Sequence, residues 1–119
     1  MPETTVAQKL FTHEPKIRYV AVNQNGQITE MQQSPRHPSS NPAETDRMEE
    51  LLVNPVVLEL TRRRGDLDLE GLRYVVIRYG SQYQLVVPYR DGHISIGVNL
   101  QDDPIAIAKT VGEALGLRI

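Results

Sequence analysis

Three histidines, no cysteine and one tight group of carboxylates are the residues from which this chain would build chemistry. His13, His37 and His93 show neither the i, i+4 pairing nor the nearby carboxylates of a metal-binding helix, so no metal site is expected. The lack of cysteine removes disulfides, thiolate zinc sites and cysteine nucleophiles together. Ser81 and Ser95 lie outside any G-x-S-x-G context, and no glycine-rich phosphate loop is present. Glu44, Asp46, Glu49 and Glu50 crowd the first turns of a helix, where acidic groups interact favourably with the positive dipole end. Capping and solubility account for them without acid–base catalysis. Arg62-Arg63-Arg64, followed by Gly65-Asp66-Leu67-Asp68, would form a small anion site or, more simply, end a helix and pair with an acidic linker. No catalytic residue and no cofactor is expected from these groups.

One polar cluster invites a ligand. Gln82, Gln84, His93 and Ser95 fall on one face of two adjacent strands. Roofed loosely by a helix, that face would line a small hydrogen-bonding pocket. Unroofed, it is the wet side of an antiparallel sheet, the simpler reading. His93 by itself reads as a hairpin residue following Asp91-Gly92.

The elements that must position these residues follow from hydrophobic period. Thr4–Thr12 suits a short amphipathic helix stopped by Pro15, either packed on the domain or swinging free. Lys16–Val22 and Gln27–Gln32 read as strands joined by Asn25-Gly26, a pair that tolerates the positive φ of a tight hairpin. The second is more polar and belongs at a sheet edge. Ser34–Pro42 is an aperiodic, proline-rich connection, with Asn41 as the N-cap of the next helix. Within Ala43–Arg64 the apolar residues occupy most of the circumference and leave a polar strip at Arg47, Glu50, Asn54 and Thr61. Pro55 forces a kink there or lets Asn54 cap a second helix. Gly65 reads as the C-cap. Leu72–Tyr79, apolar on both faces, Gln82–Tyr89 and His93–Leu100 form a meander, and Asp103-Pro104 opens a last helix closed at Gly116.

A chain of 119 residues with 39% hydrophobic and 24% charged residues fits one α+β domain with one modest core. The division is residues 1–15 as a short helix or arm and 16–119 as the domain. Its net charge of −2 is no footprint for nucleic acid. Without a signal peptide pattern or a long apolar run, no membrane association is expected and a cytoplasmic location is the default.

At the Asn25-Gly26 hairpin, the helix capped at Asn41, the meander and the Asp103-Pro104 helix, the chain resembles the roadblock/dynein light chain superfamily over about Lys16–Leu115. The resemblance implies a profilin-like sandwich: a five-stranded antiparallel sheet between helices in the order β-β-α-β-β-β-α, here with an extra short N-terminal helix. Pro55 and the long Ser34–Pro42 connection depart from the family pattern. The resemblance implies a non-enzymatic, homodimeric regulatory or scaffold module serving a small GTPase or another signalling protein. PAS-like and GAF-like sensor domains share a related sheet, and a small-molecule sensor is the alternative. The surplus apolar surface on the long helix suits a dimer contact at Met48, Leu52, Val56 and Leu60, joined by Tyr74, with the strand Leu72–Tyr79 as the other element that could make it. Tyr74, Tyr79, Tyr83 and Tyr89 are also residues that suit an interface.

Overall fold

The computed structural model describes residues 5–34 and 44–119. The Asn41 cap and most of the Ser34–Pro42 connection lie outside them. The elements are α1 (Val6–His13), β1 (Ile17–Gln24), β2 (Gln27–Gln33), α2 (Glu44–Met48), a π-helical turn (Glu49–Val53), α3 (Asn54–Asp68), β3 (Val75–Arg78), β4 (Tyr83–Tyr89), β5 (Gly92–Val98) and α4 (Pro104–Leu115). The strands form one antiparallel sheet in the order β2-β1-β5-β4-β3. This is the expected α+β architecture, with β2 at one edge.

Alternation along the strands gives the sheet two unlike faces. Val20 and Val22 of β1, Leu85 and Val87 of β4, and Ile94, Ile96 and Val98 of β5 form an apolar floor packed by α1 and α4. The opposite face carries Tyr19, Asn23, Gln84, His93 and Ser95, and the long helix formed by α2, the π-turn and α3 lies over it. Full burial of each large aliphatic side chain on the first face contributes about 1.5–3 kcal/mol, so the apolar layer holds the domain together.

α1 belongs to that layer. Thr5 and Gln8 form a reciprocal capping box, and Ala7, Leu10 and Phe11 are buried. Its first turn is also held by an acid from β2, because Val6 N–H and Ala7 N–H donate to the two Glu30 carboxylate oxygens at 3.1 and 2.9 Å. Replacing Glu30 with alanine is expected to cost about 1–2 kcal/mol and to speed amide hydrogen exchange in α1 before the sheet opens.

Turn chemistry matches the residues that specify it. Asn25 and Gly26 take φ of 54° and 78°, giving the tight hairpin. Asp103 caps α4 by accepting from Ile105 N–H and Ala106 N–H, and Gly116 ends it in the left-handed region. Gly65 differs from expectation: α3 runs through it to Asp68. A Cβ on Gly65 would sit 3.1 Å from Leu72 N, so the glycine lets the returning chain pack against the helix. Leu69 N–H and Gly71 N–H both donate to its carbonyl. The arginines before it form i, i+4 pairs, Arg63 with Glu59 and Arg64 with Asp68, all exposed. The strand expected over Leu72–Tyr79 shortens to Val75–Arg78. It is the second edge strand and half-buried, because the long helix covers the middle of the sheet.

Candidate functional site

The long helix is turned inside out. Glu50 and Asn54 of its polar strip face the sheet together with Leu58, and most of its apolar side faces solvent: Met48, Leu52, Val56 and Leu60 are 50–65% exposed. Glu50 therefore does not belong with the solvated acids of the first turns. Arg47 and Thr61, the other members of the strip, remain exposed.

Pro55 explains how the inner strip reaches the sheet. Met48 and Asn54 both have right-handed helical dihedrals, so the helix neither breaks nor restarts. Between them the winding loosens to a π-turn, and Asn54 N–H donates to Glu49 O, five residues back. In this register the carbonyl left without a helical donor by proline is that of Glu50. Asn23 Nδ2 takes that carbonyl at 3.1 Å, while Asn23 Oδ1 accepts from Gly26 N–H. One side chain thus ties the β1–β2 hairpin to the helix. The wider turn also carries Glu50 inward.

The Glu50 carboxylate receives four donors. Oε1 accepts from Asn54 Nδ2 at 2.8 Å, from His93 Nε2 at 3.0 Å and from Ser95 Oγ–H; Oε2 accepts from Tyr19 O–H at 3.3 Å. Asn54 Nδ2 also donates to Ser95 Oγ at 2.7 Å. Strand register assembles the donors: Asn23 lies opposite His93, Ala21 opposite Ser95, and Tyr19 opposite Gly97. Gly97 leaves room for Tyr19, whose Cβ would lie 3.1 Å from a Cβ at that position. Burial, and next the Glu50 charge, push the Tyr19 phenol well above its ordinary range, so it stays a donor. Four donors, three of them on Oε1, make a buried charge tolerable.

Ser, His and Glu side by side invite comparison with a nucleophilic triad, and the geometry is different. Ser95 and His93 both donate to the acid, so no histidine stands between hydroxyl and carboxylate. Ser95 is fully buried under the helix. The arrangement fastens a helix to a sheet.

Two of the expected ligand-face residues separate from the other two. His93 and Ser95 are sealed by the helix, so this part of the face is neither the wet side nor an open pocket, because Glu50 fills it. Gln82 and Gln84 line a groove of about 460 Å³ beside the π-turn, with Tyr19, Glu49, Glu50 and Tyr79. His93 borders a second, smaller cavity of about 160 Å³ near Arg62 and Asp91. Of the residues expected at a dimer contact, Met48, Leu52, Val56 and Leu60 share the exposed side of the helix. Tyr74 is half-buried and packs against the apolar core. Glu50, Asn54, Asn23 and Tyr19 were not expected as site residues. Their signal is the match between a polar helix strip and a polar strand face.

At the groove mouth, Tyr79 O–H donates to both Glu49 oxygens at 3.1 and 3.0 Å. Burial raises the Glu49 carboxyl above its usual value of 4.5; the Tyr79 bond opposes the shift, and Glu50 and Asp46 add to it. A carboxyl raised in the folded state contributes stability below about pH 4.5 that is lost as pH rises through its folded value. Glu49→Gln is therefore expected to be more stable than the parent at pH 7, by about 0.5 kcal/mol given the partial solvation of the side chain. The gain should vanish when denaturation is repeated below pH 4.5.

Among the described residues no helix is long and apolar enough to cross a membrane. No protein-family model matches the sequence, and no curated protein matches it. The structure is similar to a crystal structure of a roadblock/LC7 domain from Streptomyces avermitilis, with a TM-score of 0.70 and 12% identity, over 98% of this chain and 93% of that one. At that identity the likeness is one of fold: the sheet and its flanking helices are built as in a roadblock/LC7 domain.

Proposed function

We propose that this protein is a non-enzymatic interaction module that works as a homodimer, with the outer face of the long helix as the contact. The carrying observation is the inverted helix. Met48, Leu52, Val56 and Leu60 stand in solvent on one side while the inner strip is locked to the sheet by Glu50. Contiguous apolar surface of this kind marks an interaction site. A second copy is a natural cover, since the same stripe on both chains meets itself across a two-fold axis. The roadblock-like fold supports a regulatory or scaffold role, and resemblance to that group implies a small GTPase or another signalling protein as the further partner.

Sedimentation velocity at micromolar concentrations tests the dimer. The expected species has twice the 13.4 kDa chain mass. A single monomeric species up to high micromolar concentration would count against it. The sensor reading of a related sheet is favoured by the groove at Gln82 and Gln84 alone.

A further inference from the structure

Asn25 is the one asparagine of the chain that a glycine follows. Asn41 and Asn54 precede prolines, whose nitrogens carry no proton, and Asn23 and Asn99 precede the bulkier Gln24 and Leu100. An Asn-Gly pair lets a backbone nitrogen reach the preceding side-chain amide most easily, since no Cβ stands in the way. Both residues are exposed at the hairpin tip, and a Cβ on Gly26 would meet nothing within 4 Å. The Gly26 nitrogen is nevertheless restrained, because its N–H donates to Asn23 Oδ1 at 3.1 Å. Asn23 is only 3% exposed and is fixed from its other end, where Nδ2 donates to the Glu50 carbonyl at 3.1 Å. The Asn25 N–H in turn donates to Asp91 O at 3.2 Å. Both peptide units flanking Asn25 are therefore held.

We infer that Asn25 is a site of self-modification to aspartate and isoaspartate, and that Asn23 holds its rate down. In the first step Gly26 N bonds to Asn25 Cγ, the Cγ–Nδ2 bond breaks, and ammonia leaves with the Gly26 amide proton. Water then opens the cyclic imide at either carbonyl and is the sole co-reactant. Attack requires the Gly26 nitrogen to release its proton and turn toward Cγ. The bond to Asn23 Oδ1 opposes both. Opening at the α-carbonyl routes the main chain through the former side chain and adds a methylene to the turn. The lengthened turn no longer fits the pairing of Gln24 with Gln27.

The test is ageing at mildly alkaline pH, with conversion at Asn25 located by peptide mass spectrometry and isoaspartate read by enzymatic methylation. The folded protein should convert at least about ten-fold more slowly than the same chain in guanidinium chloride. Asn23→Ala should speed conversion of the folded protein about three- to ten-fold, the worth of one hydrogen bond. Glu50→Gln weakens the helix attachment but leaves Asn23 and the Glu50 carbonyl in place, so it should keep the parent's rate. That control separates a guard from general loss of stability. Should Asn23→Ala fail to fold, hydrogen exchange of the Gly26 amide in the parent decides, with slowing of about ten-fold or more against an unstructured peptide expected. An unprotected Gly26 amide would overturn the inference. So would an Asn25 that stays intact in denaturant, equal folded and denatured rates, a folded Asn23→Ala no faster than the parent, or equal acceleration by Glu50→Gln.

Discussion

Glu50→Ala is expected to cost about 3–5 kcal/mol of folding stability, the range for removing one partner from a buried charged set. With a urea dependence of about 1–3 kcal/mol per molar, the unfolding midpoint should fall by roughly 2 M. Little of this is lost packing. The carboxylate accepts from Tyr19, Asn54, His93 and Ser95, and its loss leaves these buried donors without their shared acceptor. Glu50→Gln, which keeps the volume but turns an N–H₂ toward donors, should cost less, about 2 kcal/mol. Tyr19→Phe removes only the 3.3 Å bond to Oε2 and should cost about 0.5–1 kcal/mol. The order matters more than any single value. If Glu50→Ala were no worse than Tyr19→Phe, the carboxylate would not be what fastens the helix. A double-mutant cycle between Glu50→Ala and Ser95→Ala should show coupling of about 1 kcal/mol or more, as expected of residues in one network.

Most of the fold is legible in the sequence because local chemistry and global architecture agree. Asn25-Gly26, Asp103-Pro104 and Gly116 each specify a backbone state that the chain adopts. The alternation in β4 and β5 correctly separates an apolar face from a polar one. The candidate site is harder to see, for a physical reason. A polar strip on a helix ordinarily faces water, and so does the polar face of an antiparallel sheet. Read separately, Glu50 and Asn54 on one element and His93 and Ser95 on another look solvated. Read together, the two polar faces pair through Glu50, although Asn54 Oδ1 stays without a partner, and most of the helix's apolar residues are left outside. The π-turn adds a second obstacle. At a regular 100° per residue Arg47, Glu50, Asn54 and Thr61 share one narrow arc, but the wider winding of the turn before Pro55 brings Glu50 and Asn54 to the strands and leaves Arg47 and Thr61 exposed. Gly65 misleads similarly, since a glycine after three arginines suggests a helix end when its role is to admit the returning chain.

Inversion of the helix makes the second large effect one of association rather than folding. Leu52→Glu, or Leu60→Glu, should convert the proposed dimer to monomer at micromolar concentration. A central apolar contact is worth about 2 kcal/mol or more, so the dissociation constant should rise at least about thirty-fold. A standard interface needs about 800 Å² from each partner, more than four side chains supply, so the contact must extend along the helix. Leu51 and Val53 flank the stripe on the same turns and are themselves at least partly exposed. Folding of the single chain should change by only about 0.5 kcal/mol, since both leucines already stand in solvent. Ile105→Glu is the control. Ile105 is also an exposed apolar residue, but it lies on α4, in the layer across the sheet, and its substitution should leave the mass unchanged. Equal loss of the dimer in the control would point to general surface stickiness. Retention of the dimer in Leu52→Glu and Leu60→Glu alike would move the contact elsewhere, to the open edges at β2 or β3. The two large effects are linked through the helix. Glu50 fixes its rotation, and that rotation sets which side chains a partner meets.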